Sequence, residues 1–78
     1  MRYMTEGVCS QVIDFDIEGN KLKNVSFFGG CEGNLKAIGI LVEGMELEEA
    51  VAKLEGITCG GKSTSCPDQL ARALKEFI

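Results

Sequence analysis

Val25-Ser26-Phe27-Phe28-Gly29-Gly30-Cys31-Glu32-Gly33-Asn34-Leu35-Lys36-Ala37-Ile38 is the stretch on which the fold turns. Before the glycines, apolar and polar side chains alternate, the period of a half-buried strand. After them, apolar residues recur about every 3.6 positions, the period of a helix. Upstream, Ile13, Phe15 and Ile17 are apolar while Asp14 and Asp16 face the other way, so residues 8–17 read as a strand. The same parity puts Cys9 on the core side. Gly19-Asn20 supplies a hairpin turn, and Leu22 to Phe28 returns with Val25 and Phe27 inward. A third strand is expected over Arg2 to Thr5, turned by Glu6-Gly7.

Downstream, Leu35, Ile38, Leu41 and Val42 mark one helical face, and Gly44 suits the position just past its end. Ala37 and Ile40 make this helix apolar on more than one side, which predicts that it is the central, most buried one. A second helix is expected from Leu47 to Glu55, with Ala50, Val51 and Leu54 inward and Gly56 ending it. Residues 57–65 read as a loop. The last helix is expected to begin at Pro67, with Leu70, Leu74, Phe77 and Ile78 on its apolar face. Strands followed by a run of helices define an α+β fold. An N-terminal antiparallel sheet of two to three strands would carry three helices on one face, in a single domain over residues 1–78.

The 78 residues, 45% hydrophobic and 26% charged, are those of a globular chain, and there is room for one small core. Such a core rarely supplies more than about 3–5 kcal/mol, and natural domains of this size often add a staple. The formal charge is −4 with Lys and Arg scattered, so no basic stripe exists to follow a nucleic-acid backbone. Ala37 to Val42, the longest apolar stretch, is too short to span a bilayer. Met1 to Ser10 has charge and no apolar run, so no signal peptide is expected. A cytoplasmic chain keeps its thiols reduced, which favours metal ligation or redox chemistry over structural disulfides.

The candidate staple is the set Cys9, Cys31, Cys59 and Cys66. None lies in a Cys-x-x-Cys knuckle, so spacing alone is a weak zinc signal. Placement says more. Cys31 precedes the first helix, and Cys66 falls where the last helix should have its N-cap. That position normally carries an oxygen that accepts free backbone N–H groups, and a neutral thiol is a poor substitute. A thiolate at a helix start is stabilised by the helix dipole, and a thiolate is the state a metal requires. The chain has no histidine, so a zinc site needs all four thiolates or recruits a carboxylate, of which Glu32 and Asp68 lie nearest in sequence. The bland alternative is that cysteines are simply buried as small hydrophobes.

Residues 56–63 satisfy the G-x-x-x-x-G-K-[ST] pattern of a phosphate-binding loop. That pattern works only between a buried parallel strand and a helix starting at the lysine. Here a helix is expected before it, and Pro67 starts the next helix too late. The glycines are then loop residues that let the backbone fold around Cys59, with Lys62 offsetting thiolate charge.

Thr64-Ser65-Cys66-Pro67-Asp68 spells the motif of the TSCPD domain family, and Gly29-Gly30-Cys31 and Leu54-Glu55-Gly56-Ile57-Thr58-Cys59 agree with the surrounding pattern. The chain resembles the stand-alone, four-cysteine branch of that family over nearly its whole length. The resemblance implies kinship with domains at the C-terminus of adenosylcobalamin-dependent ribonucleotide reductases, hence an association with DNA synthesis. The reductase barrel, cobalamin site and substrate pocket cannot fit in 78 residues, so the chain is not expected to be an enzyme by itself.

The order of elements is also similar to that of U-type iron–sulfur cluster scaffolds. On that similarity Cys9, Cys31 and Cys66 match the three cluster ligands, and Gly44-Met45-Glu46-Leu47 matches the start of the second helix. Gln11 and Ser65 stand where the scaffold has Asp and His, and Cys59 is additional. A fourth thiolate suits a closed, stable site better than one that hands a cluster on.

The leading expectation is a zinc-binding module with Cys9, Cys31, Cys59 and Cys66 as ligands. The alternatives are an iron–sulfur protein or scaffold on the same thiolates, or a thiol-redox accessory of a ribonucleotide reductase acting through Cys59 and Cys66. Expected partners are a ribonucleotide reductase or another protein, with no nucleic acid or membrane. The chain itself is expected as monomer or homodimer.

Overall fold

The computed structural model describes residues 2–5, 10–29, 32–58, 61 and 63–78. Three strands, β1 (Arg2–Met4), β2 (Ser10–Glu18) and β3 (Lys21–Gly29), precede three helices, α1 (Glu32–Val42), α2 (Leu47–Leu54) and α3 (Cys66–Lys75). The sheet is antiparallel in the order β1-β2-β3. This is the α+β arrangement that the change of period announces, third strand included. The Glu6-Gly7 turn and the start of the second strand at Val8 lie outside the described residues.

β3 does not alternate uniformly. Asp14 opposes Ser26 and Asp16 opposes Lys23, so β3 spends three steps where β2 spends two. The extra residue falls at Asn24, whose φ of 54° is left-handed, a conformation Asn tolerates better than most residues. The bulge moves even-numbered Leu22 to the same side as Val25 and Phe27, and Leu22 becomes fully buried. Asn24 is held on both sides: its amide Nδ2 donates to Asp16 Oδ2 at 3.2 Å and its backbone N–H to Glu43 Oε1 at 2.8 Å. The turn after α1 continues this seam. Gly44 N–H donates to Leu22 O, Leu22 N–H to Met45 O and Leu47 N–H to Asn20 O, so part of the outer edge of β3 is paired.

Burial corrects the expectation for α1. Ile40 and Leu41 are 68% and 73% exposed, and the helix meets β3 through Leu35, Ile38, Gly39 and Val42. The physical reason is Gly39. A Cβ there would lie 2.8 Å from the carbonyl oxygen of Val25, so the helix approaches the strand through a residue without a side chain. The central helix is α3 instead, with Leu70, Ala71, Ala73 and Leu74 buried against Ile13, Phe15, Leu22 and α2. α2 buries Leu47, Ala50 and Val51 and half-buries Leu54, as its pattern requires. Of the expected α3 face, Phe77 and Ile78 remain half or more exposed, although Phe77 packs edge-on against Phe15 at 6.1 Å between ring centroids.

Gly39→Ala should therefore destabilise the fold by about 1–3 kcal/mol, because backbone rather than a yielding side chain stands in the way. Urea unfolding of the two proteins measures it; wild-type stability in the variant would mean that α1 does not press on β3 through Gly39.

Candidate metal centre

α3 starts one residue earlier than expected. Ser65, not Cys66, is the N-cap, with extended backbone (φ −151°, ψ 171°), and its Oγ accepts the Asp68 N–H at 3.2 Å. A hydroxyl is the better acceptor for these unpaired donors, which displaces the thiol from the cap. Cys66 becomes the first helical residue and Pro67 the second. Cys66 is buried, at 8% exposure.

Around it lies a connected polar cluster of Thr64, Ser65, Asp68 and Gln69, all buried. Asp68 is its hub. Oδ1 accepts the backbone N–H of Gly56 at 2.8 Å, and Oδ2 accepts the Thr64 hydroxyl at 2.5 Å and Arg72 Nε at 3.0 Å. Gln69 Nε2 donates to Thr64 Oγ1 at 3.0 Å, and Ser65 Oγ donates to Ile57 O at 2.6 Å. Among the described residues, no buried side-chain nitrogen or oxygen lacks a partner. Burial alone would raise the Asp68 pKa, but the Thr64 hydroxyl, the Gly56 N–H and Arg72 outweigh it and hold the carboxyl below its ordinary range.

Ser65 and Asp68 have the S-x-x-D spacing of a capping box, a signal the cysteine-centred reading passed over. In the usual box the acidic side chain returns to the cap N–H. Here it reaches Gly56, just past the end of α2, so a local motif becomes a tertiary clamp. The clamp closes the base of the segment that contains Cys59, tying Gly56 and Ile57 to Thr64, Ser65 and Asp68. Asp68 has both oxygens engaged in the clamp, so metal ligation by it would compete with these bonds. The side chain of Glu32 lies outside the described residues.

Cys9, Cys31 and Cys59 also lie outside the described residues. Their flanks are described. Ser10, next to Cys9, pairs with Gly29, two residues before Cys31, at one end of the sheet, and α1 opens at Glu32. The alternation that assigned Cys9 to the core crosses an irregularity between Ser10 and Val12, where β2 has one extra residue. The opposite end of the sheet is the Gly19-Asn20 turn. α2 starts there, through Leu47 N–H to Asn20 O, and α3 returns there, with Phe77 and Ile78 lining one cavity with Asn20 and Leu47. Cys66 thus opens α3 at the helix end away from the turn, about 15 Å along the axis. Among the described residues, no three or more His, Cys, Asp or Glu side chains form a metal-binding group.

The phosphate-loop pattern has the wrong context. α2 precedes it, Gly56 N–H is bound to Asp68, and the next helix opens at Cys66, past the lysine position.

Asp68→Ala strips the acceptor from the buried Thr64 hydroxyl and the part-buried Gly56 N–H and should cost about 1–3 kcal/mol at neutral pH. Because the folded carboxyl titrates below its unfolded value, its contribution is complete above about pH 4 and is lost as pH falls through the folded-state value. Urea unfolding across that range should show a steeper acid loss for the wild type than for the variant. Parallel curves would mean that the ionised carboxylate adds no stability.

No curated protein and no solved structure matches the chain. A sequence model of the TSCPD domain matches residues 1–78, its entire length. Residues 64–68 form the clamp, with Thr64, Ser65 and Asp68 as its polar members and Cys66 between them in sequence. The chain belongs to the TSCPD domain family.

Proposed function

We propose that this TSCPD domain is a metal-binding module in which the thiolates of Cys9, Cys31, Cys59 and Cys66 hold a zinc ion. The observation that carries this reading is Cys66. It is buried on the first turn of a helix whose start is capped by Ser65 and braced by Asp68, which fixes where a ligand at this position would stand.

The donor chemistry fits zinc. There is no histidine, Asp68 is occupied, and four thiolates make a closed tetrahedral set of the structural kind. Ser10, beside Cys9, pairs with Gly29, two residues before Cys31, and the clamp ties Ile57, two residues before Cys59, to Ser65, beside Cys66. Both features favour convergence. Zinc when bound supplies cross-linking rather than redox chemistry, worth about 10–16 kcal/mol in small domains, several times what a core of this size contributes.

The module is read as non-catalytic. Its proposed setting is a reducing compartment such as the cytoplasm, and its proposed partner a ribonucleotide reductase, on the family resemblance alone. Among the described residues no helix is long and apolar enough to cross a membrane.

Metal, labile sulfide and accessible thiols, counted per chain in protein purified without oxygen, test the reading. About one zinc with no accessible thiols is the expected result. Iron with sulfide would transfer the same ligands to an iron–sulfur reading, and four titratable thiols without metal would contradict both.

A further inference from the structure

Asp68 and Thr64 do more than start a helix. One carboxylate receives the N–H of Gly56 from beyond α2 and the hydroxyl of Thr64 from before α3, while Ser65 binds Ile57 O. Three short bonds of 2.8, 2.5 and 2.6 Å therefore join the two ends of residues 57–63 to the turn that carries Cys66. The Asp68 side chain is 5% exposed and its bond to Thr64 is buried, while the bonds that reach Gly56 and Ile57 are part-buried and Arg72 is half exposed. Shielded charge-assisted bonds are the strong class, and they do not exchange readily with solvent.

We infer that Thr64 and Asp68 are positioning residues for the metal centre, setting how slowly a bound metal leaves. The inference rests on the four-cysteine reading. Neither side chain ligates. They keep the first turn of α3 and the base of the Cys59 segment in one frame, so the two chain segments cannot separate one at a time. Outer partners that fix a ligand's orientation typically alter metal retention by roughly 10–100-fold.

Thr64→Val removes the hydroxyl at nearly constant volume, and Thr64→Ser restores it. The experiment loads each full chain with zinc and follows zinc transfer to a chromophoric chelator under native conditions. The expected result is roughly tenfold faster transfer from Thr64→Val, with Thr64→Ser close to wild type. Gly39→Ala is the control, because it loosens α1 against β3 without touching the clamp.

A wild-type rate in a folded Thr64→Val, or equal acceleration by Gly39→Ala at matched unfolding free energy, would overturn the positioning role and leave the zinc module standing. A wild-type chain that takes up no zinc would overturn the metal reading, and this inference with it. Where Thr64→Val folds only with metal bound, Asp68→Asn serves in the same measurement, with the same result expected.

Discussion

The carboxylate of Asp68 is the constraint on which the rest of the helical layer depends. α2 and α3 are short, of eight and ten residues, and helices of that length hold together through tertiary contacts rather than propensity. Asp68 supplies such a contact in polar form. It takes the N–H of Gly56 just past α2, the hydroxyl of Thr64 just before α3, and the guanidinium of Arg72 one turn on. At the other end of α3, Lys75 pairs with Glu55 on the surface, an exposed contact of small worth. The buried end therefore determines where α3 begins, and Cys66 is the residue placed by it.

A second seam does the same for the sheet. The bulge at Asn24 turns Leu22 into the core, Glu43 holds the Asn24 backbone, and Gly44 and Met45 pair with Leu22. α1 is thus tied to β3 at its C-terminal end and pressed on it through Gly39. Both seams add polar or backbone contacts to a core in which, among the described residues, Ile13, Phe15, Leu22, Leu70 and Leu74 are the large side chains almost wholly enclosed.

The sequence made the sheet, the turn at Gly19-Asn20 and the existence of all three helices readable, because each rests on hydrophobic period and glycine placement. It misled where a residue acts through what it lacks. Gly39 carries no weight in an apolar pattern, so the pattern alone puts Leu41 on the inner face and makes α1 the most buried helix. Asn24 hid a change of register that period alone does not reveal. Cys66 invites the N-cap assignment because a thiolate suits a helix start, whereas Ser65 and Asp68 three residues apart specify the cap. Bringing four cysteines to one metal would be a long-range property that neither spacing nor parity encodes.

The proposed zinc centre carries a specific physical expectation: sulfur alone would surround the metal. X-ray absorption at the zinc edge of protein purified without oxygen measures this most directly. The account predicts a single shell of four sulfurs at about 2.3 Å. A shell with nitrogen or oxygen at about 2.0–2.2 Å, or fewer than four sulfurs, would contradict it, because a ligand other than the four cysteines would then complete the site.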